Sequence, residues 1–554
     1  MLQPVMSPKR ASARSSTDRS VTSDTPDRFR VPRGLVPVIA VLAGGLAVAA
    51  AFPPLGLWWT APLGLSLLMG TLQGRGPWMS AGLGLVFGLA FFAPLLRFIA
   101  VAMGNPIGWV ALALFEALYM AVLGISWSLV SRMPVLTADG PGAGRAAGRV
   151  VSFAVLWCGV EELRSSWPWG GFPFGRLAFA MADAPMLSFA AYGGSIGLTL
   201  VVALIGACVL ETVCALRARA LMLALATTAC AGLAVAAPLV LPVDSAAEDG
   251  TLRVGAVQGN VAKDFEDAFN RALEVTDNHA QATDRLAADV GSGNLDVVIW
   301  PENAADLDPR THRSSATLID SAAQAAGAPI MVGAVLFEGD VRYNDMVVWT
   351  PGEGAGSYYR KHRPAPFAEY VPLRSLIRGL TTQVDRIGTD MAPGTGPQTL
   401  AIHAASQNRD VTLAMGICFE VAYDDTLRNG VRQGGELIVI PTNNASFLSS
   451  SEAAQQLAQG RVQAVVHGRS VVQVSTVGIT AIINPKGEVE HETRPYTQAS
   501  LVADAGLRTS MTPADTMGSW PGHVLCGCAA MLVIAGIVSS SVRRLVPGVD
   551  HRRR

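Results

Sequence analysis

The sequence predicts a chain in two parts: a helical bundle that crosses a membrane about eight times, and an α/β domain whose central sheet is covered by helices. Three observations predict it. Half of the 554 residues are hydrophobic and only 15% are charged, with a mean hydropathy of +0.35, which is too apolar for a soluble protein of average charge content. Eight apolar runs approach the length of a membrane span. Between the last two of them, a long polar block alternates short apolar runs with amphipathic segments. The formal net charge of -1 points neither to a nucleic-acid partner nor to an acidic tail.

Residues 1–33 are rich in Ser, Thr, Asp and Arg and have too little apolar surface to fold, so they read as a disordered tail. The run at 34–52 is too long and too far from the start for a cleaved secretory signal, and reads as the first span. A span needs about 20 apolar residues to cross roughly 30 Å of hydrocarbon. The runs at 34–52, 55–72, 79–103, 107–130, 149–163, 186–216, 220–243 and 523–542 approach this measure, the fifth being interrupted by Glu161 and Glu162. The chain thus divides into a tail (1–33), a bundle (34–243), a polar domain (244–521), a last span (522–542) and a basic tail (543–554).

Orientation follows from the basic flanks. Lys9, Arg10, Arg14, Arg19, Arg28, Arg30 and Arg33 precede the first span. Arg75 follows the second, Arg132, Arg145 and Arg149 the fourth, and Arg217 and Arg219 the sixth, while Arg543, Arg544, Arg552, Arg553 and Arg554 follow the last. With eight helices all of these fall on one side. Both termini are therefore expected to be cytoplasmic and the polar domain extracytoplasmic.

Within the polar domain, strands are expected at 252–261, 295–304, 329–337, 343–350, 399–405, 411–420, 436–444, 471–485 and 500–505. Helices are expected at 265–289, 314–326, shortly after Val421, and at 452–467. Near-continuous apolar strands separated by helices argue for a sheet buried on both faces. This block holds no GxGxxG, P-loop, HExxH or paired CxxC motif, so nucleotide and structural-zinc readings lack support. His362 and His467 read as structural residues.

Cys158, Cys208, Cys214, Cys230, Cys526 and Cys528 lie in the expected spans, which leaves Cys418 alone in the polar domain and excludes a disulfide within it. A lone cysteine is commonly a small core hydrophobe. Here, however, the β-branched run VTLAMGICFE stops at Gly-Ile-Cys, a strand-to-turn boundary that presents a side chain at the rim of a sheet. VVIWPENA places Glu302 just past another strand, and YYRKHRP places Lys361 after a third. A carboxylate base, a cationic stabiliser and a thiol nucleophile are what thioester chemistry requires.

WPENA, YRKHRPAPFAEYVP and GICFE, in that order, resemble the Glu-Lys-Cys framework of the nitrilase superfamily. With spans on both sides, and with FPPLGLWW and EELRSSWPWGGFPFG in the membrane part, the chain resembles that superfamily's membrane branch, the apolipoprotein N-acyltransferase family. The resemblance implies a nitrilase-like αββα sandwich for the polar domain. It implies transfer of a fatty acyl chain from a membrane phospholipid to the N-terminal amine of a diacylglyceryl-cysteine apolipoprotein, through a cysteine thioester and with neither metal nor organic cofactor. Glu302 would be the general base, Lys361 the oxyanion stabiliser and Cys418 the nucleophile, with Glu369 and Glu420 supporting them. The expected partners are the phospholipid donor and the diacylated acceptor, with no nucleic acid, for a monomer in the cell inner (plasma) membrane.

Phe419, Trp167 and Phe174 are expected to contact substrate. The loop at 167–174, together with Phe52, Trp58 and Trp59, is expected to line a lipid entrance, and the same residues also fit an interfacial aromatic belt. Arg97, Glu116, Glu161 and Glu162 are candidates for headgroup contact, or snorkel near helix ends. The chain departs from the family pattern at Phe419 (commonly Tyr), Asn444 and Ser446 (Asp and Trp), Gln463 and Val466 (Arg and Glu), and Phe174 (Trp), while Arg469 remains. None of these touches Glu302, Lys361 or Cys418, so retained chemistry with altered lipid or protein preference is expected. Two rivals stand beside this reading. One is a membrane-tethered nitrilase-type amidohydrolase using the same three residues. The other is a transporter or sensor, which the absence of an inverted repeat and the scarcity of charges in the spans disfavour.

Overall fold

The computed structural model describes residues 34–545 apart from 138–141, 262–272, 380–383 and 386. The N-terminal tail, most of the basic C-terminal tail and the first part of the helix expected at 265–289 lie outside the described residues.

Helices form at each of the eight apolar runs: Val36–Ala50, Thr60–Leu72, Pro77–Leu95, Ile107–Ser131, Ala143–Ser166, Ala190–Arg217, Leu221–Ala236 and Trp520–Leu545. Five of the eight sites are long and apolar enough to cross a membrane. Val36–Ala50 and Thr60–Leu72 are apolar but only 15 and 13 residues long, and Ala143–Ser166 is long but interrupted by charges. The run expected as one span at 79–103 is broken: Pro94 removes a backbone donor in the last turn of Pro77–Leu95, and a short helix, Phe98–Met103, follows.

Charges inside the bundle are paired with an opposite charge or held by hydrogen bonds, as a low-dielectric interior demands. Arg164 meets Glu116 at 2.9 Å, with both side chains buried. Arg176 pairs with Glu162. Glu161 accepts from Thr199 Oγ1 at 2.6 Å and from the Leu177 N–H at 3.1 Å. Burial therefore removes Glu116 and Glu161 from headgroup contact, whereas Glu162 is partly exposed and Arg97 exposed. Phe52 is also corrected: it is buried in the bundle core against Phe91, ring centroids 5.7 Å apart, and lines no entrance.

The polar domain is an αββα sandwich. Its seven-stranded sheet has the order β13-β1-β2-β3-β4-β5, with β6 beside β4. These strands are β1 (Thr251–Gln258), β2 (Val297–Ile299), β3 (Ile330–Glu338), β4 (Val341–Thr350), β5 (Gly354–Arg360), β6 (Asp390–Met391) and β13 (Ala499–Gly506). The six-stranded sheet has the order β12-β11-β10-β9-β8-β7. It comprises β7 (Thr399–Ala404), β8 (Arg409–Met415), β9 (Leu437–Thr442), β10 (Val471–Ser475), β11 (Ala481–Ile483) and β12 (Val489–Glu492).

Alternation along the strands builds three cores. Val254, Val297, Met331, Val411, Leu413, Val439 and Val472 fill the space between the sheets. Val298, Ile330 and Val332 face the helices Glu274–Val290 and Arg313–Ala326. Ile438, Ile440 and Val471 face the helices Asp424–Arg432 and Glu452–His467. The single strand expected at 471–485 is two antiparallel strands, β10 and β11, joined by a turn. The domain docks on the bundle where the helix Ala190–Arg217 breaks at Gly194 (φ 66°). The broken turn leaves Ser195 N–H free of a helical partner, and Asp424 takes it at 3.1 Å together with Ser195 Oγ at 2.7 Å.

Candidate active site

Three strand ends converge. β2 runs into the turn that carries Glu302, β5 ends one residue before Lys361, and β8 is followed by Cys418. The turn at Glu302 packs directly over β3, where only glycine fits: a Cβ at Gly333 would stand 2.4 Å from Pro301 O and 2.8 Å from Glu302 Cα. Asn303 and Cys418 have φ of 54° and 53°, the left-handed region that L-residues adopt at a cost of about 1 kcal/mol or more. At Cys418 this sharp turn starts the 3-10 helix Cys418–Ala422 and lifts the thiol off the strand, leaving it partly exposed.

Lys361 and Glu302 are only 1% and 3% exposed. Lys361 Nζ donates to Glu302 Oε1 at 3.0 Å and to Glu369 Oε1 at 2.7 Å. Asn344, buried in β4, holds both partners of the first bond. Its side-chain amide donates to Glu302 Oε1 at 2.6 Å, and its backbone carbonyl accepts the backbone N–H of Lys361 at 2.9 Å. The other carboxylate oxygen of Glu302 accepts the Asn443 N–H at 2.9 Å, and that of Glu369 accepts the Ala365 N–H at 2.6 Å. Glu420 is fully buried. Its Oε1 accepts the backbone N–H groups of His362 and Arg363, and its Oε2 accepts the Ile417 N–H and the Tyr359 O–H.

The electrostatics are those of a desolvated site. Burial pushes the Cys418 thiol well above its usual value, the Glu302 charge adds to this, and Lys361 opposes it. For Lys361, burial favours the neutral amine, but Glu302, Glu369 and Cys418 outweigh it and keep the ammonium charged. Burial raises Glu369 while Lys361 pulls it down. The arrangement offers a held carboxylate, a fixed cation and a thiol within their electrostatic reach, which suffices for acyl transfer through sulfur.

The aromatic residues are brought to the same place. Phe174 and Phe419 are buried and stacked at 6.0 Å and 11°, Phe172 lies against both, and Tyr423 closes edge-on against Phe419 at 5.3 Å. Trp167 differs: its ring is exposed, and its carbonyl is held by Tyr119 Oη at 2.6 Å. Asn444 and Gln463, two of the departures from the family pattern, are buried in hydrogen bonds beneath the Cys418 turn and take no part in a lipid surface. Sequence reasoning missed Asn344, Tyr359, Glu452 and Gln456. None of the four carries a distinguishing local signal: Asn344, for one, sits in the polar run RYND of β4.

Comparison with known proteins adds two family models, apolipoprotein N-acyltransferase N-terminal domain over residues 44–208 and carbon-nitrogen hydrolase over residues 253–509. The chain is 34% identical to the apolipoprotein N-acyltransferase of Mycolicibacterium smegmatis over 550 residues, covering 93% of this chain and 87% of that one. It is 27% identical to that of Azotobacter vinelandii, over 92% and 96% of the two chains. Among solved structures, an amidase from Nesterenkonia sp. matches 51% of this chain and 99% of its own, with 14% identity and a TM-score of 0.35.

Proposed function

The chain belongs to the apolipoprotein N-acyltransferase family, a membrane acyltransferase of carbon-nitrogen hydrolase type that serves lipoprotein N-acylation, and from that premise we propose that it works by ping-pong transfer through Cys418 with a phospholipid as donor. Glu302 takes the thiol proton, and the thiolate attacks the ester carbonyl carbon of the phospholipid. Lys361 stabilises the oxyanion of the tetrahedral intermediate. Collapse breaks the ester C–O bond, Glu302 returns its proton to the leaving alkoxide, and a lysophospholipid departs from a Cys418 thioester. The α-amine of the diacylglyceryl-cysteine acceptor then attacks the thioester, loses its proton to Glu302, and expels the thiolate as the amide forms. Glu369 holds Lys361 from the other side.

The observation that carries this reading is the buried Glu302–Lys361–Glu369 cluster beside the one thiol that a strained turn lifts from a sheet. The membrane part supports the substrate class. Extracting an acyl chain into water costs about 0.8 kcal/mol per CH2, so the donor is best met where it resides, and Phe172, Phe174 and Phe419 give the site an apolar wall. An apolar wall also keeps water from the thioester. By the basic flanks, both termini are cytoplasmic, the domain at 244–521 is extracytoplasmic, and the spans lie within 34–243 and 522–542 of the inner membrane.

Incubation with phospholipid and no acceptor tests the proposal. Intact-protein mass spectrometry should show one added acyl chain, mapped to Cys418, with an equimolar lysophospholipid released. Turnover of a small amide without lysolipid would instead identify a membrane-tethered amidohydrolase.

A further inference from the structure

Beneath Cys418 lies a chain of buried polar side chains that the steps above leave unused. The helix Glu452–His467 places Glu452 and Gln456 one turn apart against the end of β9. Gln456 Nε2 lies 3.7 Å from Cys418 Sγ, within reach of a hydrogen bond to sulfur. Its other end is occupied: Gln456 Oε1 accepts from Thr442 Oγ1 at 2.8 Å and from Asn444 Nδ2 at 3.0 Å.

Asn444 is locked in turn. Its Nδ2 also donates to Glu452 Oε2, and its Oδ1 accepts from Ser475 Oγ, whose own oxygen accepts the Gly478 N–H at 2.8 Å. A Cβ at Gly478 would stand 2.2 Å from Asn444 Oδ1, so the turn between β10 and β11 must be glycine for this contact to exist. Every donor in the run faces an acceptor. Turning the Gln456 amide over would set its N–H2 against that of Asn444, so the N–H is directed at sulfur.

The donor count at Lys361 shows what this contact is for. An ammonium has three N–H bonds, and Lys361 spends two on Glu302 and Glu369. The third cannot serve both the thiolate and the oxyanion that forms on the substrate. A second donor, fixed at the sulfur, releases Lys361 to the oxyanion.

We propose that Gln456 is a catalytic residue that donates an N–H to the Cys418 thiolate, and that Asn444 and Glu452 are positioning residues that keep its amide the right way round. This rests on Cys418 being the nucleophile. Burial of Glu452 pushes its carboxyl up to about 8. The anchor is therefore mostly neutral at pH 7 and sets no second negative charge near the sulfur.

The test uses the full-length protein in lipid nanodiscs, with iodoacetamide as probe and the Cys418 peptide read by mass spectrometry across a pH series. Gln456→Met keeps length and bulk but removes the N–H. The midpoint of Cys418 alkylation should rise by about one pH unit, with reactivity at pH 7 about tenfold lower. At pH 7, where the Glu452 carboxyl is mostly neutral, Glu452→Leu should lower Cys418 reactivity in the same way, and Glu452→Gln, which still accepts from Asn444, should restore most of it. An unchanged midpoint in Gln456→Met overturns the proposal even if acyl transfer falls, because the residue would then be merely structural. Should that variant fail to fold, equal Cys418 reactivity at pH 7 in Glu452→Leu and Glu452→Gln overturns it. Failure of the parent protein to acylate Cys418 would instead refute the proposed function, a separate result from any midpoint.

Discussion

The Tyr359 hydroxyl, at the end of β5 in one sheet, donates to Glu420 Oε2 at 2.8 Å beyond β8 in the other. The same carboxylate gathers three backbone N–H groups, from Ile417 and from the two residues that follow Lys361. Glu420 thus ties the turn of the nucleophile to the loop of the cation across the two sheets. Glu420→Ala would leave four donors without their acceptor, each costing about 1–3 kcal/mol if it stays dry. The expected outcome is a lower melting temperature and loss of acyl transfer. Glu420→Gln should fold better yet remain more than about tenfold slower, as a rate assay alongside a thermal melt would show.

Lys361 stands between the buried Glu302 and the partly buried Glu369. Lys361→Met should destabilise the domain by about 3–5 kcal/mol, because removing one member of a buried ion pair strands the others. Adding Glu369→Gln should recover part of that stability while leaving acyl transfer absent. Thermal unfolding of the single and double variants, with thioester formation by mass spectrometry, checks both outcomes.

Burial raises the Glu452 carboxyl from 4.5 to about 8, the Asn444 hydrogen bond opposes the shift, and the Glu302 charge adds to it. A folded value above the unfolded one contributes stability that is present in full below about pH 4.5 and lost as pH rises through about 8. Glu452→Gln removes that titration. Its melting temperature relative to the parent should therefore climb across this window and level off above it. Parallel melting curves at every pH would contradict the assignment of this proton.

Arg164 binds the aromatic loop from below, donating to the carbonyls of Phe172 and Phe174 at 2.7 Å each while it pairs with Glu116. Phe174→Ala removes the ring stacked on Phe419 but leaves this anchor in place. It should raise KM for the phospholipid donor by roughly 10- to 100-fold, the consequence of losing roughly 1.5–3 kcal/mol of apolar contact. Alkylation of Cys418 by a small soluble reagent should be unaffected. A fall in both would place Phe174 in the support of the thiol.

How much was legible in the sequence varied with the kind of interaction. The helix expected at 452–467 forms over Glu452–His467, and the apolar runs at 329–337 and 436–444 form β3 and β9. Local periodicity reports which face of a segment is buried, whatever buries it. The strand expected at 471–485 is two antiparallel strands because the chain turns back near Gly478, where β-branched residues stand on both sides of the turn. Composition there does not distinguish one long strand from two antiparallel ones.

The sequence by itself determined that Glu302, Lys361 and Cys418 each follow a strand, and that apolar helices flank the domain that carries them. These are properties of contiguous residues, set by side-chain period and turn chemistry. Only the tertiary structure decided that Asn344 joins Glu302 to Lys361, that Glu420 bridges two sheets, that Arg164 neutralises Glu116, and that Gln456 meets the sulfur. Each of those pairs is far apart in the chain. A buried polar group must find a partner wherever folding brings one, and no local pattern records which.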